Sequence, residues 1–215
     1  MIDKYNCDSY DSGYCYHLGR PLTPEEDDTC EDKCLARKSE QNPQLKDNQH
    51  VSIIACIDTH WAIGLYNKLL YHIPKDMQLF VNKTTNHTVI MGRKTLESLP
   101  NPVKGLPNRK NIILSSTMAD TANYKVLSNI ESVKRFLNTC IDDEVFVIGG
   151  ETVYTKLLPL CDTAYITKVY DHVNGANKFM PNLDQMSDWE CVQTSELYTD
   201  DRTGKKFQFC TYKRI

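Results

Sequence analysis

Short apolar runs rich in Val and Ile alternate with segments whose apolar residues recur at helical spacing over most of this chain. Runs at 51–57, 88–91, 111–114 and 145–148 read as buried strands, since continuous β-branched runs suit a strand covered on both faces. Between them, 74–85, 94–99, 130–139 and 152–158 read as helices. Pro74 stands where a first helical turn tolerates proline. Longer runs at 164–170, 191–198 and 206–212 close the chain as strands, with Asp200-Asp201-Arg202-Thr203-Gly204 as the turn between the last two. Strands alternating with helices predict an α/β fold: one mainly parallel mixed sheet, helices on both faces, and a C-terminal antiparallel hairpin.

That texture begins only at Val51. Residues 1 to about 49 carry 11 Asp or Glu against 6 Lys or Arg, few aliphatics and no convincing strand. The expected organisation is an acidic extension over 1–49 and a larger domain over 50–215, a length that 215 residues accommodate. Net charge is −3, so no basic field invites nucleic acid. The polar start shows no signal-peptide core, and no apolar run is long enough to span a bilayer. The expectation is a cytoplasmic protein without a membrane partner. Of nine cysteines, Cys56, Cys140, Cys161, Cys191 and Cys210 are scattered in apolar surroundings and read as small buried hydrophobes.

Three places suggest chemistry. In Val147-Ile148-Gly149-Gly150-Glu151-Thr152-Val153 a buried strand runs through two glycines into a helix. Glycines allow close ligand approach, and a helix start offers free N–H groups, which suits a pyrophosphate. A tight turn without a ligand is the alternative. Gly92-Arg93-Lys94-Thr95 repeats the arrangement with a guanidinium, an ammonium and a hydroxyl, again suited to phosphate, although a solvated helix start would look the same. Two such turns in one α/β sheet favour a dinucleotide. Third, Asp76 and Phe80 share a helical face with Met77 adjoining. An acid, a ring and a thioether together suit a pocket for a flat polar heterocycle; a helix-start acid favoured by the dipole is the other reading.

These stretches, with Ile54-Ala55, Trp61-Ala62-Ile63-Gly64, Ile73-Pro74-Lys75-Asp76, Leu106-Pro107-Asn108-Arg109 and Tyr165-Ile166-Thr167, resemble dihydrofolate reductases in order and spacing from Val51 to Ile215. The resemblance implies an eight-stranded sheet and NADPH-dependent reduction of dihydrofolate to tetrahydrofolate, within one-carbon metabolism. It implies that Asp76 is the ionisable group of the pterin pocket, with a pKa raised by burial, braced by Thr167. It puts Ile54, Ala55, Met77, Phe80 and Ile148 around the pterin and nicotinamide, Leu99 and Leu106 around the aminobenzoyl ring, and Arg109 on the glutamate carboxylate. For NADPH it implies Ala55, Ile63 and Gly64 on the nicotinamide side, and Gly92, Arg93, Lys94 and Thr95 at one phosphate-binding turn. Gly149, Gly150, Glu151, Thr152 and Val153 form the other, and Ser115 and Ser116 approach the 2′-phosphate. A monomer is the expected state.

The chain departs from that pattern in places. Tyr71 stands where the family commonly has Trp, in the role of holding a water near the acid, and Leu70 where Pro is frequent. Residues 58–70 match the mobile loop that closes over nicotinamide. Glu151 and Thr152 replace small or basic residues, which should weaken pyrophosphate contact. The rival readings are a related reductase acting on riboflavin precursors, which lacks the pocket acid, and a non-catalytic module that binds NADPH or folate.

The resemblance does not reach the extension. Cys7, Cys15, Cys30 and Cys34 could form a four-thiolate zinc site, a disulfide set, or free thiols on an arm. The cytosolic setting argues against disulfides. Thr23-Pro24-Glu25-Glu26 reads as a helix start with a capping box, so a thiol-stapled helical hairpin is one expectation.

Overall fold

The structure, a computed structural model, describes residues 49–142 and 144–215, and before them the backbone of three two-residue strands. The chain divides into two compact units, Met1–Gln44 and Leu45–Ile215. In the first, Tyr10–Asp11, Tyr14–Cys15 and Arg20–Pro21 pair antiparallel in that order. This corrects the reading of a strandless extension: tyrosine favours a pleated strand, and a Ser-Gly dipeptide stands between the first two. Cys7, Cys30, Cys34 and the helix start at 23–26 lie outside the described residues, so neither the zinc site nor the helical hairpin meets an observation.

The second unit is built on a large mixed sheet. Its strands are β1 (His50–Ile57), β4 (Thr88–Gly92), β5 (Lys110–Leu114), β6 (Tyr124–Leu127), β7 (Glu144–Gly149), β8 (Thr163–Val169), β10 (Trp189–Thr194), β11 (Tyr198–Thr199) and β12 (Lys206–Arg214). The order is β10-β12-β8-β1-β7-β4-β5-β6, with β11 also on β12. From β8 to β6 every pairing is parallel; β12 runs antiparallel to β8, β10 and β11. A smaller antiparallel sheet joins β9 (Lys178–Phe179), β2 (Ala62–Leu65) and β3 (Lys68–Leu69).

Alternate strand residues feed two cores. Val51, Ile53, Ala55, Ile57, Ile90, Val145 and Val147 pack on one face with α3 (Ile130–Thr139) and α4 (Glu151–Leu157). Ile54, Val89, Met91 and Phe146 point the other way, toward Phe80 of α1 (Pro74–Thr84) and Leu96 of α2 (Arg93–Glu97). This period-two split explains why the strands read as continuous apolar runs.

Two expectations change. The single strand at 191–198 is broken after Thr194, where Ser195 turns its hydroxyl to accept from Phe209 N at 3.0 Å. That leaves the two-residue β11 beyond the break. Cys140, Cys161 and Cys210 are buried and Cys56 half-buried, but Cys191 is exposed, because β10 is an edge strand whose residues from Glu190 to Thr194 are all exposed. Among the described residues no helix is long and apolar enough to cross a membrane.

Candidate active site

The carboxyl ends of β1, β7, β4 and β5 lie side by side, where open α/β sheets present ligand crevices. A cavity of about 860 Å³ opens there. Ile63, Gly64, Gly92, Arg93, Lys94, Thr95, Ser115, Ser116, Ile148, Gly150, Glu151, Thr152 and Val153 all line it. Ala55 and Gly149, read with them, do not; both are buried behind the lining.

The glycines set the shape of this wall. A Cβ on Gly92 would stand 3.0 Å from Val153 Cγ2, so the starts of α2 and α4 approach closely only without one. Gly149 has φ +106°, and a Cβ there would meet the Tyr154 ring at 2.9 Å. The Gly149–Gly150 peptide bond is cis. Arg93 pairs with Glu97 at 2.7 Å. Glu151 is already engaged: Lys178 approaches it at 2.8 Å and Phe179 N donates to it at 3.1 Å.

Across β1 lies a second group. Asp76 is the third residue of α1 and the acid of its first turn, and the N-cap residue Ile73 makes no side-chain cap bond. The residue is half-buried with its carboxyl enclosed, and burial pushes its pKa above the usual carboxylate value, partly opposed by a hydrogen bond from the buried Thr167. Thr167 pairs in register with Cys56, whose thiol pKa is raised by burial and then by Asp76. Burial, Asp76 and Cys56 likewise raise the pKa of Tyr154, whose hydroxyl donates to the Ile54 carbonyl at 2.8 Å.

Ile54, Phe80, Leu99, Leu106 and Ile148 share one apolar cluster. Met77 lies outside it, 40% exposed. The Arg109 guanidinium bonds Thr84 Oγ1 at 3.1 and 3.2 Å and Pro107 O at 2.8 Å, and burial lowers its pKa. Tyr71 packs elsewhere, with Ile73, Val169 and Phe207. Burial, then Asp171, Asp58 and Cys56, raise its pKa; Asp76 is not among the causes.

Several residues here escaped the sequence reading. Cys56, Tyr154 and Lys178 line the cavity, beside Asn67, Lys68 and Leu69 of the loop expected to close over nicotinamide. So do Ser128, Asn129 and Ile130, which follow β6, a strand too short and too half-exposed to register as a run. Asn111 orders the 105–111 turn, accepting from Leu106 N at 3.0 Å and donating to Leu106 O at 2.9 Å and Arg109 O at 3.2 Å. A polar residue opening an apolar strand was the available signal for it.

The family model described as "Dihydrofolate reductase" matches residues 50–214. The chain belongs to the dihydrofolate reductase family. It is 36% identical over 165 residues to a dihydrofolate reductase of Bacillus subtilis, covering 76% of this chain and 94% of that one. To a dihydrofolate reductase of Staphylococcus haemolyticus it is 31% identical over 166 residues, covering 77% and 96%. Among solved structures, a dihydrofolate reductase from Enterococcus faecalis complexed with NADP(H) and RAB-propyl matches with a TM-score of 0.69 and 29% identity, over 78% of this chain and 97% of that one. The family match begins at His50, leaving the acidic extension outside it.

Proposed function

We propose that this chain reduces 7,8-dihydrofolate to 5,6,7,8-tetrahydrofolate with NADPH, in support of one-carbon and thymidylate metabolism. Residues 50–215 act as the catalytic domain, with 1–49 appended, in a cytoplasmic monomer. The observation that carries the reading is the enclosed Asp76–Thr167 pair beside a glycine-walled cavity at the strand ends.

The cavity residues fit a phosphorylated dinucleotide. Gly92 sits where a side chain would close the wall between α2 and α4. Arg93, Lys94 and Thr95 supply charge and hydroxyl at one turn, Gly150 to Thr152 supply backbone donors at the other with Val153 beside them, and Ser115 and Ser116 stand at the end of β5 for a further phosphate. Bound NADPH would supply the hydride.

The chain's own groups do the rest. Asp76, its proton held more tightly because burial disfavours the anion, bonds the amino edge of the pterin and delivers a proton toward the ring. Thr167 fixes the carboxyl. Ile54 and Ile148 offer carbonyls, while Ala55, Met77 and Phe80 pack on the ring. Leu99 and Leu106 enclose the aminobenzoyl ring, and Arg109 grips the substrate carboxylate with its planar fork. Tyr71 packs among apolar neighbours with its charged neighbours on the Asp171 side, which favours a structural part for it over a direct share in proton delivery.

The test is NADPH oxidation with dihydrofolate by wild type and Asp76→Asn. Expected is turnover by wild type and a loss of about 10²–10⁴-fold near neutral pH in the variant, with NADPH binding kept. Equal rates would remove Asp76 from its role. Binding without turnover in wild type would favour the non-catalytic module, and turnover only with a riboflavin precursor the related reductase.

A further inference from the structure

Outside the cavity, Asp58, His60 and His172 bring a carboxylate oxygen and two imidazole nitrogens within 4.8 Å of one another. We propose that these three side chains form a site for one transition-metal dication. The reductase reading places Asp58 and His60 in the loop that closes over nicotinamide but gives none of the three a ligand.

Asp58, buried just past β1, is held firmly. Its Oδ1 accepts from His60 N at 2.7 Å and Ala62 N at 2.9 Å, and its Oδ2 from Val173 N at 3.3 Å. A carboxylate oxygen has more than one acceptor site, so Oδ2 keeps capacity for a ligand bond. His172 Nδ1 stands 3.5 Å from it. On a tetrahedral ion with bonds of about 2.0–2.1 Å, neighbouring ligand atoms stand roughly 3.3 Å apart. The His60 and His172 rings have centroids 4.1 Å apart and are tilted by 54°. Both are exposed, so their rings can adjust and water can complete the coordination. Two imidazoles and one carboxylate suit Zn²⁺, Ni²⁺ or Cu²⁺ better than Ca²⁺ or Mg²⁺, which prefer oxygen throughout.

The position gives such an ion a consequence. Asp58 and His60 begin the segment leading into β2, whose Ile63 and Gly64 line the cavity, while His172 lies on the connection from β8 to β9. These segments already meet where Tyr66 N donates to Asn177 Oδ1 at 3.3 Å and Gly64 pairs with Lys178. The ion would cross-link them at their far end.

The test is calorimetric titration of the full chain with Ni²⁺, without substrate, beside His60→Ala and His172→Ala. Wild type should bind one Ni²⁺ more than either variant, at least about tenfold more tightly than any residual binding at that site. Ni²⁺ should also raise the Tm of wild type more than theirs, because a ligand selective for the native state stabilises it by mass action. The thiols of the extension are common to all three proteins and cancel from the difference. Equal uptake and equal Tm response would overturn the site. If an alanine variant does not fold, His60→Gln or His172→Gln serves in its place. No readout involves turnover, so failure here leaves the reductase reading untouched.

Discussion

The Tyr154 hydroxyl donates to the Ile54 carbonyl at 2.8 Å, tying α4 to the end of β1. Tyr154 is buried, so deleting the hydroxyl takes this donor from the Ile54 carbonyl. Tyr154→Phe should destabilise the protein by about 1 kcal/mol. A domain of this size then melts roughly 2–4 °C lower. Thermal denaturation of the two proteins checks it, and an unchanged Tm would mean that this bond contributes nothing net.

Asp76 also links the site to stability. In the unfolded chain its carboxyl titrates near its ordinary value of 3.8; in the native state burial raises it. Below the ordinary value both states are protonated, and the native state carries no penalty. As pH rises through the native pKa, the unfolded chain has already released a proton that the native state gives up only at the cost of a buried charge, so stability falls. Asparagine carries no such charge. Asp76→Asn should therefore melt close to wild type near pH 3 and above it near pH 7. A Tm difference that stays flat across this range would contradict the raised pKa.

How far the sequence was legible depends on whether residues act through local pattern or through tertiary meeting. The central strands and the helices expected at 74–85, 94–99, 130–139 and 152–158 follow from unbroken β-branched runs and helical spacing, and the structure moves their ends by one or two residues. The wall of the cavity was readable because Gly92, Gly149 and Gly150 stand at strand-to-helix junctions. Tyr154 was not singled out, since its partner Ile54 lies 100 residues away and nothing local announces the bond. Asn111 looked like one polar residue starting a strand, and its use in ordering Leu106 and Arg109 exists only once the turn is folded. Tyr71 shows the opposite limit: its position follows the family resemblance, but its charged neighbours come from the β8–β9 connection and the 58–62 turn, which no local pattern brings to it.

Gly149 offers a direct test of the wall. With φ at +106° an alanine is strained, and its Cβ would lie 2.9 Å from the Tyr154 ring, which is itself fixed on Ile54. Neither relief is cheap, so Gly149→Ala should cost about 1–3 kcal/mol. Activity should fall further than stability alone explains, because displacing Tyr154 disturbs the carbonyl proposed to meet the pterin. Denaturant midpoints and turnover at a temperature where both proteins are fully folded separate the two effects. Wild-type stability in the variant would refute the tightness of this corner.

Glu151 stands at the mouth of the proposed pyrophosphate site, yet its charge is paired with Lys178 at 2.8 Å and its other oxygen accepts from Phe179 N. The pair is partly exposed, so it adds little to stability, and Glu151→Gln should change Tm by less than about 1 kcal/mol's worth. Its effect shows on the cofactor. The substitution removes a negative charge from the cavity wall and frees the Lys178 ammonium, which also lines it. NADPH should then bind roughly two- to fivefold more tightly at low ionic strength, the scale of one half-exposed charge interaction. Because such fields are screened within about 8 Å at physiological salt, the gain should shrink as salt is raised. Fluorescence titrations of NADPH at low and high salt would show it; weaker binding in the variant would mean that Glu151 acts instead by holding β9 against α4, as the cofactor requires.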